Sequence, residues 1–192
     1  MTARIAVAAA TAALTLAALP AAAPAAKKKK AKPPAAWTKA QKDAKALFGV
    51  LRRPATPADK LPAGAKKSPP AAISRKVGEL SGRTYFLVVR GTQACLTVKL
   101  TTGQAPEFCV PVAKVKAGTA VPKALESAGG ANFDYVVAVP DGASVGRTLN
   151  GATTPQTVAD NAALIAATPF GGSVDVTLKS GAVLKFPLGL SL

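Results

Sequence analysis

Trp37, Ala40, Ala44, Leu47, Phe48 and Leu51 recur at intervals of three and four residues, the spacing of one face of an α-helix. Thr38 and Gln41 have the separation of a capping box at its start. Arg52 and Arg53 put cations at its end, where the helix dipole favours them, and Pro54 stops it. The pattern predicts one amphipathic helix over residues 37–53. Such a helix either lies on an anionic membrane surface or docks on a following domain with its lysines in water. A single stripe of this width is what docking needs, so docking is expected. The next stretch, "PATPADKLPAGAKKSPP" (54–70), has five prolines and few bulky apolar side chains. It reads as an extended linker over 54–72.

From Ile73 onward the hydrophobic period falls from 3.6 to 2. "RTYFLVVRG" (83–91) is apolar on both alternating sets, Tyr85, Leu87 and Val89 against Phe86 and Val88, and predicts a central strand. "ANFDYVVAV" (131–139) places Phe133, Tyr135, Val137 and Val139 on one face. "VPDG" (139–142) has Pro second and Gly fourth, which predicts a hairpin turn into "ASVGRTL". "NAALIAATPF" (161–170) is compatible with strand or helix and is assigned as strand. "GGSVDVTLKSGAVLKFPL" (171–188) alternates Val174, Val176 and Leu178 with polar residues, turns at Ser180-Gly181 and returns through Val183–Phe186. No internal repeat is present. Short strands at this spacing predict a mainly β fold, a small antiparallel β-sandwich or barrel over 73–192, preceded by the helix and linker.

The cysteines fall inside this pattern. In "ACLTVKLTTGQAPEFCVPV" (94–112) two alternating segments flank a turn-rich centre. A hairpin axis at Thr102 sets Cys95 opposite Cys109, Leu96 opposite Phe108 and Ala94 opposite Val110. The apolar residues then share one face and the two sulfurs meet on the other. Directly opposed residues of an antiparallel pair come close enough for a disulfide. Closing this loop is worth about 3 kcal/mol in the chain-entropy model.

Charge changes the picture at the other end. Of the net +16, residues 27–76 hold fifteen Lys or Arg against Asp43 and Asp59, while residues 77–192 hold nine against seven acids. The basic character belongs to the front segment, and a block of this kind reads as a solvated arm that meets anions. Ahead of it, an uncharged run from Ile5 to Ala26 follows Arg4. Ala23-Pro24-Ala25 fits the small-x-small rule of signal peptidase, so residues 1–25 are expected to be a cleaved signal peptide. The competing reading is a retained anchor, because the run is long enough to span a bilayer and the lysines outweigh Arg4. Thirteen alanines and only five Ile, Val or Leu make it a weak membrane helix, and export is expected. Residues 26–36 then form a Lys/Pro-rich disordered arm, with Lys27, Lys28, Lys29, Lys30 and Lys32 as the candidate polyanion-binding residues. An oxidising compartment agrees with a Cys95–Cys109 bond.

The inventory of reactive groups is sparse. The chain has no histidine and nine carboxylates. "GASVG" (142–146) fits Gly-x-Ser-x-Gly, but the nucleophile elbow needs a strand-to-helix turn and a histidine base. Ser144 is therefore read as a strand residue. No Ser-x-x-Lys occurs, a cysteine nucleophile lacks its base, and a zinc site is left with carboxylates alone. Glu79, Glu107, Asp134, Asp141, Asp160 and Asp175 remain open as a glycosidase-type pair, although several flank turns or alternate with apolar residues. Nucleic acid is matched by the lysines alone, since the basic segment offers only Trp37 and Phe48 for stacking.

"LFGVLRRPATPADKLP" and "YVVAVPDGASVGRTLNG" together carry a resemblance. With Leu51–Pro54, Thr56, Asp59–Pro62, Cys95, Cys109 and Val139–Gly142 as matching positions, the chain resembles a group of small exported actinobacterial proteins. The similarity spans most of residues 47–190. It implies the same layout and disulfide, and implies no activity; the lysine tail lies outside the shared pattern. The expectation is a non-catalytic module, secreted or associated with the cell envelope. Its partners are expected to be anionic envelope polymers or lipid headgroups, without cofactor, small-molecule substrate or specific nucleic acid. The alternatives are a secreted protein-binding module, such as a protease inhibitor presenting "TTGQAPE", and a membrane-anchored protein with a cytoplasmic basic arm.

Overall fold

The structure is a computed structural model that describes residues 34–65, 69–103, 105–126, 133–168 and 171–188. The expected signal peptide and the five arm lysines lie outside the described residues. The chain opens with helix α1 (Ala35–Leu47) and 3₁₀ turns at Gly49–Leu51, Pro57–Asp59 and Ala63–Ala65. Strands β1 (Ala71–Leu80), β2 (Arg83–Arg90), β3 (Gln93–Lys99) and β4 (Glu107–Pro111) follow, then a short helix α2 (Val112–Lys116). The rest is β5 (Val121–Glu126), β6 (Phe133–Ala138), β7 (Ser144–Leu149), β8 (Ala152–Gln156), β9 (Val158–Ala159), β10 (Ala162–Thr168), β11 (Ser173–Thr177) and β12 (Val183–Pro187).

These strands form three antiparallel sheets, ordered β1-β2-β3-β4, β5-β6-β10-β9 and β12-β11-β7-β8. The mainly β architecture with one preceding helix agrees with the sequence, and the third sheet goes beyond two layers. Strand β6 shows why. Val136 and Ala138 enter one core with Leu87, Leu96 and Val98 of the first sheet. Tyr135 and Val137, on its other face, enter a second core with Val145, Val174 and Val176 of the third sheet. A strand apolar on both faces has to be covered on both, and each fully buried aliphatic side chain contributes about 1.5–3 kcal/mol. The first and second sheets approach closely at one edge. Gly78, at φ +155°, sits in β1 where an added Cβ would lie 2.8 Å from Leu164 of β10.

The turn at 139–142 differs from the expected hairpin. Strand β6 pairs with β5 and β10, whereas β7 pairs with β8 and β11. "VPDG" therefore carries the chain from the second sheet to the third. Val139 N–H donates to Asn161 O at 2.8 Å, and Asp141 N–H donates to Leu47 O at 2.8 Å. Bonds to other elements replace the ladder that a hairpin would need.

The helix also departs from its expected bounds. It starts at Ala35, its N-cap is Pro34, and no side chain caps it; Thr38 lies inside the first turns. It ends at Leu47, where Phe48 is extended at φ −120° and ψ 110°. Docking of its apolar stripe is confirmed: Ala40, Ala44, Phe48 and Leu51 are buried in the first core. The membrane-surface role is overturned by that burial.

Within the stretch expected as an extended linker, residues 54–65 carry two 3₁₀ turns, and Leu61 and Ala71 pack on the outer face of the first sheet. They cover Phe86, Val88 and the cysteines there.

Candidate functional site

Cys95 and Cys109 are direct partners in the β3–β4 ladder, flanked by Ala94–Val110 and Leu96–Phe108. This is the register that alternation predicts. The sulfurs are bonded, with 4.0 Å between the Cα atoms. Phe108 is on the expected face but is not covered there. It is 43% exposed, because β4 is the edge of its sheet. Glu107 brings a carboxylate oxygen within 4.8 Å of the two sulfurs, a spacing compatible with metal donors. Both sulfurs are held in the disulfide, and Glu107 accepts from Arg90 Nε and from the Thr97 hydroxyl.

The arginines and carboxylates of the front segment form clips. Asp59 is buried, and its two oxygens accept from Arg53 Nη1 and Nη2 at 2.8 Å each. They also accept from Thr56 N–H at 2.7 Å, the Thr56 hydroxyl at 2.9 Å and Lys76 N–H at 2.7 Å. Burial works against ionisation here. The Arg53 pair and the two backbone N–H groups outweigh it and hold Asp59 far below the ordinary carboxyl range. Thr56 and Asp59 are a capping box around the Pro57–Asp59 turn. Thus Thr-x-x-Asp is the spacing of a reciprocal cap, a signal present in the sequence but hidden by its prolines.

A second clip joins the end of α1 to the 139–142 turn. Asp141 Oδ1 accepts from Gly49 N–H at 2.8 Å, and Oδ2 accepts from Arg52 Nη2 at 2.7 Å. Asn161 Oδ1 accepts from Val50 N–H at 2.8 Å, while its Nδ2 donates to Val139 O and to Asp141 Oδ1. These side chains take the N–H groups that another helical turn would have paired internally, which explains why α1 stops at Leu47. For Asp141, burial is again offset by Asn161, Arg52 and the Gly49 N–H, and the net shift is downward.

The candidate glycosidase carboxylates are distributed rather than paired. Glu79 is bonded to Lys76, Asp134 to Arg83, and Asp175 to Ser173, Thr148 and Lys185. Asp160 occupies a turn at φ +46°. Ser144 is exposed at the start of β7. Comparisons with protein-family models, curated proteins and solved structures found no match to this chain. Among the described residues, no helix is long and apolar enough to cross a membrane.

What the clips leave in solvent is cationic. A cleft of about 490 Å³ lies beside the 56–60 turn, with Lys45, Lys60 and Arg75 among its lining residues. A second, of about 310 Å³, is lined by Pro57 and Ala58 of the same turn and includes Lys60, Lys76 and Lys99. Neither cleft was legible in the sequence, because residues 45, 60, 75 and 99 meet only through tertiary packing.

Proposed function

We propose that this chain is a non-catalytic exported module held at the cell envelope by Lys27, Lys28, Lys29, Lys30 and Lys32. The observation that carries this reading is the orientation of α1. Its apolar stripe is buried in the first core, so Lys42 and Lys45 face solvent on a helix that begins three residues after Lys32. In sequence, the cationic run is thus followed by further exposed lysines on the folded unit, which adds positive charge for a polyanion. The disulfide supports passage through an oxidising compartment. The reactive side chains support a non-catalytic role, since Asp59, Glu79, Glu107, Asp134, Asp141 and Asp175 are tied to cations, hydroxyls or backbone N–H groups.

At the hairpin tip Ala105 is buried, and an added Cβ at Gly64 would lie 2.5 Å from Gly103 O, while Thr101, Thr102 and Gly103 are exposed. The tip is thus held against the 63–65 turn on one side and open on the other, so an inhibitor loop is the second reading.

The test is extraction of intact cells. The protein is expected in the extracellular and envelope fraction, and concentrated salt is expected to release it by screening. Its intact mass should match a chain that starts after Ala25 and lacks two hydrogens. Recovery from the cytoplasm, or retention in the pellet at high salt, would remove the basis for the proposal.

A further inference from the structure

We infer that the two clefts beside the 56–60 turn form one track for a linear polyphosphodiester chain. This rests on the envelope-polymer reading and names the chemistry recognised by the folded unit itself. Lys60 lines both clefts, so one cationic side chain borders the two. The lining carboxylates are already neutralised: Asp59 by Arg53, and Glu79 by Lys76 at 2.6 Å. Among the described residues, Lys45, Lys60, Arg75 and Lys99 form no ion pair. The track is a row of uncompensated cations.

Arg75 is the most constrained of them. Its Nε and Nη2 donate to Arg53 O at 3.1 and 2.7 Å, and Nη1 donates to Ser74 O at 2.7 Å. Carbonyls orient the guanidinium without cancelling its charge, so little ordering entropy is lost when an anion arrives. Lys60 follows a turn fixed by the Asp59 bonds and by Ser74 Oγ donating to Asp59 O at 2.8 Å. Between the cations lie Ala55, Ile73, Pro57 and Phe86, which suit the carbon units linking successive phosphates. Anionic lipids carry the same phosphodiester, but a bilayer surface cannot enter two concave clefts beside a turn. A thin chain can.

The experiment measures binding of poly(glycerol phosphate) and of phosphatidylglycerol vesicles to the full mature chain across a salt series. Three proteins are compared: the unaltered chain, one with the five arm lysines changed to Gln, and that one with K45Q, K60Q and K99Q added. All three added substitutions are at exposed lysines, and circular dichroism checks that the fold is kept. The arm-substituted protein is expected to retain salt-dependent polymer binding. The added changes should weaken it more than tenfold and lower the salt slope by about 0.7–0.9 for each phosphate no longer neutralised. Equal affinity and slope with and without the three changes would overturn the track. So would loss of all polymer binding on arm substitution alone, and the arm reading would then stand. Failure of the unaltered chain to bind either probe would overturn both. Stronger, cleft-dependent binding to vesicles than to polymer would overturn the choice of a free chain.

Discussion

Arg52 and Asp141 are 89 residues apart in the chain and meet at 2.7 Å. Their contact ties the last turn after α1 to the loop that crosses from the second sheet to the third. Leu51–Pro54 and Val139–Gly142 are thus halves of one joint. The pair itself is exposed and contributes little on its own. The strength of the joint lies in Asn161, which bonds Val50, Val139 and Asp141 at once.

Replacing Asn161 tests that ranking. The residue sits at φ +61°, which Asn tolerates and Ala does not. N161A leaves the Val50 N–H without its acceptor, at about 1–3 kcal/mol, and adds about 1–2 kcal/mol of left-handed strain. N161G suffers the first loss and escapes the second. Urea unfolding should therefore rank the stabilities wild type, N161G, N161A, with R52Q within about 1 kcal/mol of wild type. An R52Q loss as large as that of N161A would refute the ranking.

Acid should unfold the protein through Asp59. Its folded carboxyl is held far below the ordinary range, by Arg53 and the N–H groups of Thr56 and Lys76 acting against burial. A depressed folded value means the stabilisation is complete above the unfolded carboxyl range, near pH 4, and is lost as pH falls toward the folded value. Asp141 and Asp175 shift the same way. With no histidine in the chain, unfolding free energy should be flat from about pH 5 to 8 and decline below. D59N should be destabilised by about 2–4 kcal/mol at neutral pH, because it leaves Arg53 short of its carboxylate, and should show a shallower acid slope. Stability that changes between pH 5 and 8, or a D59N slope equal to wild type, would contradict this account.

The legible parts of the fold were those dictated by alternation. The cysteine register, the two-faced β2 and the β11–β12 pair all follow from period-two patterning. Some missed strands had signals too. Ser81-Gly82, Asn150-Gly151 and Asp160-Asn161 each have positive φ at both positions and join β1 to β2, β7 to β8 and β9 to β10. Two-residue turns of this kind are hairpin marks. The sheet crossing at "VPDG" was not legible, because a turn motif specifies a reversal and says nothing of what pairs beyond it. The early end of α1 was hidden for a similar reason. Gly49 and Val50 lose helical pairing to side chains of residues 141 and 161, which no local window contains. The clefts share that dependence on distant residues.

The disulfide supplies the last expectation. Cys95 is fully buried against Phe86 and Val88, and its partner Cys109 is half-buried at the sheet edge. The bond closes a separation of 14 residues, for which chain entropy gives about 3 kcal/mol. The β3–β4 ladder and the first core do not depend on it, since Leu96, Val98 and Val110 pack on the opposite face. Reduced protein should therefore keep its far-ultraviolet circular dichroism while its unfolding free energy in urea falls by that amount. The strands would hold the thiols facing each other, so reoxidation of the folded form should be intramolecular and independent of protein concentration. Collapse of the spectrum on reduction would mean that the hairpin needs its crosslink to form. Unchanged stability would mean that Leu61 and Ala71 already restrain the same loop.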